Sequence, residues 1–214
     1  MEDKELMQLW KTYDARLLQN LVFNQQQAAD IAQLKVQSLL SSMKPVKLFA
    51  LVTGIAWVGF VDVIIITSYT YASWYFIISA LIQVILTKIA IGVYLYQLVL
   101  IYKTDISASV LQTQEKLARL RSSTLWITRL LFLQLPVWTT FYITQDMISR
   151  NSLLFYSVQV PITLLFSAAA IWLFINIRYS NRYRKWFRLI FSGAEWDPVM
   201  KSMELLEQAD DFRR

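Results

Sequence analysis

The stretch LFALVTGIAWVGFVDVIIITSYTYASWYFIISALIQVILTKIAIGVYLYQLVLIY, residues 48–102, decides what kind of protein this is. Its charged residues are Asp62 and Lys88 alone. An α-helix rises about 1.5 Å per residue, so roughly 20 apolar residues cross a hydrocarbon core of about 30 Å. The stretch holds two such crossings, at 48–68 and 73–95, with 69–72 as the turn. The second apolar run continues to Tyr102, which predicts a tilted or projecting helix.

The same criterion finds two further spans at 125–145 and 152–176. The expected fold is therefore all-α: a polytopic membrane protein whose membrane domain, 48–176, has four transmembrane helices in two hairpins. Composition agrees, because 56% of the chain is hydrophobic and 17% charged, an unusual balance for a soluble domain. Most charges fall in 1–47, in the loop 103–124 and in 177–214. Cysteine and histidine are both absent, which removes disulfides, thiolate nucleophiles, and the commonest general base and metal ligand. No catalytic, cofactor-binding or metal-binding residue is expected, and the chain is read as a non-enzyme. The first 30 residues show no basic region leading to an apolar stretch and cleavage site, so the first span is read as the targeting signal.

Orientation follows from lysine and arginine, which are retained in cytoplasmic loops. They gather in the N-terminal segment (Lys4, Lys11, Arg16, Lys35, Lys44, Lys47), the middle loop (Lys103, Lys116, Arg119, Arg121) and the segment after span four. The opposite side has Arg150. The expected location is a bacterial inner membrane, with both termini cytoplasmic. The net charge of +6 is a topology signal; no basic groove with stacking aromatics points to nucleic acid.

Residues 2–44 lack glycine and proline and space Leu6, Trp10, Tyr13, Leu17 and Leu21 at helical intervals, followed by Ala28, Ile31 and the Leu34/Leu39 region. This predicts one long cytoplasmic helix, amphipathic and coiled-coil-like, although Asn24 and Gln25–Gln27 weaken the seam. At about 60 Å it is too long for a 22-residue loop to cover. The first five stripe residues are the candidates for binding a cytoplasmic protein or a second copy. At the other end, 178–191 mixes Arg182, Arg184, Lys185 and Arg188 with Tyr183, Trp186, Phe187, Leu189, Ile190 and Phe191. Aromatics settle at headgroup level and cations attract anionic lipid, so Arg182, Arg184, Lys185, Trp186 and Arg188 are the lipid-surface candidates. Gly193 then breaks the chain, and Asp197-Pro198 starts a terminal helix over 198–209 with an apolar Val199, Met203 and Leu206 face. Glu204, Glu207, Asp210 and Asp211 make its tail acidic.

Within the spans, a mid-bilayer charge is costly and marks function by default. Asp62 is the leading candidate, and Gln83, Gln134 and Gln159 complete the intramembrane polar set. Lys88 and Arg129 fall toward the cytoplasmic side and are read as snorkelling there, too deep to pair with Asp62. Thr139, Thr140 and Gln159 should lie nearer Asp62, while Pro136 and Pro161 are candidate kinks. No nucleotide loop, zinc spacing or nucleophile elbow occurs, and no inverted repeat or glycine-broken helix marks a transport site.

The segments LWKTYDARLLQNLVFN (9–24), LTKIAIGVYLYQLVLIYKTDIS (86–107), QEKLARLRSSTLWITRLLFLQLPVWTTFY (114–142) and RKWFRLIFSGAEWDPVMKSMELLEQ (184–208) resemble a family of uncharacterised four-helix membrane proteins of Bacteroidota. The resemblance runs along the whole chain and transfers no catalytic residue. It implies genes lying near extracytoplasmic-function sigma factors. The expected function is a non-enzymatic regulator or scaffold that binds a cytoplasmic partner through its terminal helices. The alternative is a small transporter, channel subunit or ion-handling accessory built on a polar seam around Asp62.

Overall fold

A computed structural model of the chain describes residues 2–103, 110–150, 152–193 and 196–211, which are helical with short connections and contain no strand. The helices are α1 (Glu2–Ser42), α2 (Lys44–Ser68), α3 (Trp74–Tyr102), α4 (Val110–Phe132), α5 (Gln145–Arg150), α6 (Ser152–Asn176), α7 (Lys185–Ile190) and α8 (Asp197–Asp211). Among the described residues, three helical stretches are long and apolar enough to cross a membrane: Trp10–Ser68, Trp74–Tyr102 and Phe155–Asn176. Within the chain they bury 17%, 28% and 11% of their most apolar windows, so most of that surface needs an outside apolar cover.

Met43 alone separates α1 from α2. Pro45 falls in the first turn of α2, where its missing N–H costs nothing. Lys47–Gln97, Gly54–Ile91 and Asp62–Lys88 approaches order α2 and α3 antiparallel. Ser73 caps α3 by accepting from Phe76 N–H at 3.2 Å, and its hydroxyl donates to Ile143 O at 2.7 Å.

The expected continuous helix over 125–145 does not form. α4 stops at Phe132, the residue whose carbonyl a helical Pro136 would both leave unpaired and strike. Beyond it the chain proceeds by tight i→i−3 bonds, Leu133 to Leu130, Gln134 to Leu131, Leu135 to Phe132, Thr139 to Pro136 and Thr140 to Val137. This stretch still follows α3 along its length, from Gln97 beside Ser123 and Thr124 to Ser73 beside Ile143. Over that interval α3 rises about 36 Å, whereas 124–143 as pure α-helix would rise about 28 Å. Tight turns rise about 2 Å per residue, which makes up most of the difference. Pro161, in contrast, is absorbed within α6.

The segment 103–124 is helical from Val110, not a loop throughout, because α4 begins well before the apolar run. Its Leu117 and Leu120 join Val36 and Leu40 of α1, Met43 at the α1–α2 junction, Ile101 of α3, and Val199 and Leu206 of α8 in the largest core cluster. The apolar stripe that packs runs from α1 into the junction, Ala32, Val36, Leu40 and Met43, at steps of four, four and three. Ile31 and Leu34, placed on the stripe by sequence spacing, are exposed. The reason is angular: at 100° per residue the packed set lies a little over a quarter-turn from the Trp10–Leu17 set.

A second cluster joins Leu125 and Ile177 to Phe187, Phe191 and Trp196. The third, Val58, Val61, Ala80 and Val84, is small and lies between α2 and α3. Two of three clusters thus sit at one end, where the lysines and arginines gather; we call it the basic end.

Candidate functional site

Lys47, read from sequence as one more topology cation, is 0% exposed. Its Nζ donates to Gln97 Oε1 at 2.6 Å and lies 4.9 Å from the Tyr94 ring centre. Gln97, also fully buried, donates through Nε2 to Ser123 Oγ at 3.1 Å and Thr124 Oγ1 at 3.3 Å. Both hydroxyls donate in turn to Leu120 O. The chain of bonds ties α2, α3 and α4 together, and a network satisfied at every member rigidifies a fold. Sequence reasoning missed it. The available signal was Gln97, a buried-looking amide in an apolar run at the height of Lys47.

Asp62 and Lys88 form an ion pair at 3.2 Å, which corrects the expectation that Lys88 lies too deep to reach. The physical reason is helix direction. Each Cα–Cβ bond tilts toward its own helix N-terminus. Because α2 and α3 run opposite ways, Asp62 leans toward the basic end and Lys88 leans away from it, so they converge. The pair is not enclosed: the side chains of Lys88 and Asp62 are 56% and 40% exposed.

Gln159 is buried in α6 and closes on the irregular segment rather than on Asp62. Its Nε2 donates to Thr139 O and, at 3.2 Å, to Thr163 Oγ1, while Tyr142 OH donates to its Oε1. Thr139 Oγ1 donates to Thr163 Oγ1 at 3.0 Å, and Thr140 Oγ1 lies 3.0 Å from Ser79 Oγ. Backbone groups freed from a helix need other partners, and these residues supply them. Gln134 lies inside the break with a buried Nε2 that finds no hydrogen-bond partner among the described residues. Gln83 is half-buried on α3, and its carbonyl accepts from Thr87. Arg129 does not snorkel outward. Its Nε donates to Ile177 O just past α6, where a cation suits the free carbonyls of a helix end.

The basic-aromatic segment divides in two. Phe187 stacks on Phe191 at 4.3 Å between centroids, Trp196 packs on both, and all three are buried. Trp186, a lipid-surface candidate, is half-buried at 5.0 Å from Trp172. Arg184, Lys185 and Arg188 stay exposed with Tyr183 and Leu189. Arg182 stacks over Tyr179 and Tyr183 at 4.4 and 4.3 Å, and Arg121 approaches Tyr179 at 3.9 Å. On α4, outside the apolar stretches, Glu115 accepts from Arg119 at 2.7 Å and raises that guanidinium's pKa above its ordinary value.

The N-terminal half of α1 carries the remaining candidates. Trp10 is 68% and Tyr13 66% exposed, and Leu17 and Leu21 are more than half exposed. The side chain of Leu6 lies outside the described residues, as do those of Glu207, Asp210 and Asp211. The terminal helix α8 is engaged internally, with Val199, Ser202 and Leu206 buried against α1 and α4. No known protein family, no curated protein and no solved structure matches this chain.

Proposed function

We propose that the chain is a non-enzymatic inner-membrane regulator or scaffold that holds a cytoplasmic protein on the projecting half of α1. The observation that carries this reading is the exposed row Trp10, Tyr13, Leu17 and Leu21, N-terminal to the apolar run 48–68. Large aromatics supply much of the area in protein interfaces, and two of them one turn apart make a poor solvated face. α8 is already occupied by α1, so the binding element narrows from both terminal helices to one. The sequence resemblance suggests a regulatory factor as the partner class. The ion-handling alternative is the weaker reading, because Lys88 already neutralises Asp62.

We further infer four crossings in two antiparallel pairs, the third being α4 continued by its irregular extension. The match in length between that segment and α3 supports this, as does the cover that Gln159 gives its backbone. The cationic bias supports cytoplasmic termini. A reporter inserted near Gln112 should be active in the cytoplasm; a periplasmic signal there overturns the orientation.

The functional test replaces Trp10 and Tyr13 together by alanine. Both side chains are exposed, so membrane abundance and stability should stay within about 0.5 kcal/mol of the parent. Crosslinked or co-purified partner should fall by at least about tenfold, each aromatic truncation at an interface centre costing on the order of 2 kcal/mol. Equal recovery from both proteins at equal membrane levels refutes the reading.

A further inference from the structure

The middle of the α2–α3 pair presents an exposed ion pair where an apolar surface is required. On α2 the residues Ile55, Gly59, Asp62 and Ile66 recur at steps of four, three and four, and so share one face. On α3 Leu81, Ile85, Lys88 and Gly92 recur at the same steps. Ile55, Ile66 and Ile85 are each more than half exposed. A Cβ added at Gly59 or at Gly92 would meet nothing within 4 Å, so both glycines open outward. At the centre sits Asp62–Lys88 at 3.2 Å, half uncovered by its own chain. Hydrocarbon is a poor cover for it: intramembrane charges almost always face protein or water.

We propose that this face is the interface between two copies of the chain within the membrane, related by a two-fold axis along the bilayer normal. The charge pattern selects a second copy as the occupant. Such an axis keeps every residue at its own depth, and Asp62 and Lys88 share one depth because they touch. Rotation therefore sets Asp62 of each copy against Lys88 of the other, giving four alternating charges that neutralise one another. The surface is self-complementary, as an isologous interface must be. Gly59, one turn before Asp62, and Gly92, one turn after Lys88, let the helices approach closely, the usual device of membrane helix packing. The inference rests on α2 and α3 lying in the bilayer and is independent of what α1 binds.

The test uses the full chain in two differently tagged forms, wild type and the double variant Asp62→Lys with Lys88→Asp. The double variant keeps an ion pair within each chain and complementary charges between two of its own kind. Mixed with wild type, it opposes Asp to Asp and Lys to Lys. Co-expressed wild-type copies should co-purify from mild detergent, and two copies of the double variant should do the same. Recovery of the mixed pair should drop by at least about tenfold, since opposed like charges at an interface cost several kcal/mol. A second variant, Gly59→Leu with Gly92→Leu, has room for its side chains within the chain and should remain folded yet fail to associate. Free mixing of wild type with the charge-swapped form overturns the proposal, and association through α1 would produce that result. Wild-type copies that never co-purify overturn it too. Extraction of the chain from membranes by alkaline carbonate would instead overturn the bilayer placement, and the interface with it, by a readout that does not depend on mixing.

Discussion

The basic end of the α2–α3 pair and its middle each hold a lysine, and the two are treated in opposite ways. Lys47 stands where water and headgroups are expected, yet it is completely buried, bonded to Gln97 and backed by Ser123 and Thr124. Lys88 stands in the apolar run, yet its side chain is more than half exposed beside Asp62. At the basic end α1, α4 and α8 pack with Met43, just before α2, and with Ile101 of α3. In the middle α2 and α3 meet through the small Val58–Val61–Ala80–Val84 cluster and the Asp62–Lys88 pair. The lesson is that burial here follows the number of elements that converge, not the polarity of the local sequence. An end finished by its own chain should be sensitive to single substitutions, and an unfinished middle should not be until another molecule covers it.

The largest effect is expected at the finished end. Phe187→Ala removes a fully buried ring from the stack with Phe191 and Trp196 and should cost about 3–5 kcal/mol. Unfolding in mixed detergent micelles, followed by tryptophan fluorescence, would measure it. Leu189→Ala in the same short helix is the control: Leu189 is 82% exposed and its truncation should change stability by less than about 0.5 kcal/mol. Equal losses from both variants would mean that the aromatic knuckle is not packed as described.

Gln97→Leu comes next. It removes the partner shared by the buried Lys47 nitrogen, the buried Thr124 hydroxyl and the part-buried Ser123 hydroxyl, for which about 2–3 kcal/mol is expected in the same unfolding measurement. Gln97→Glu should recover part of the loss by restoring an acceptor for Lys47. A neutral Gln97→Leu would show that the node is wet and would erase the contrast between the two ends.

The smallest effect on the isolated chain belongs to the middle. Asp62→Asn keeps the shape and an acceptor for Lys88, and both side chains are about half exposed, so the cost should stay below about 1 kcal/mol after screening. The same substitution should weaken association between copies more than it weakens folding. A loss of several kcal/mol in a monomeric micelle preparation would place Asp62 in the core and sink the comparison.

Much of the architecture was legible before any coordinates. Apolar length marked the three membrane-competent stretches but also 125–145, which is not one of them among the described residues, and the Asp197-Pro198 start signal marked α8. Other features were hidden for identifiable reasons. The break after Phe132 could be suspected from Pro136, but Pro161 carries the same sequence signal and stays helical. The difference is local: Thr139 and Thr140 supply hydroxyls and Gln159 supplies an amide across the gap, so leaving the helix strands few backbone groups. The stripe on α1 was misplaced because two apolar sets share that helix, and only docking of α8 and α4 chose between them.

By itself the sequence determined everything that depends on distance along the chain. That includes how long each apolar stretch is, where lysine and arginine accumulate, and where proline and glycine are placed. The tertiary structure alone decided what depends on which elements meet and at what height. Antiparallel helices lean their side chains toward each other, so Lys88 reaches Asp62; Gln97 faces Lys47, so a cation that looked like a topology marker became the centre of a buried network. A linear reading measures depth at the Cα, while chemistry happens several ångströms away at the side-chain tip.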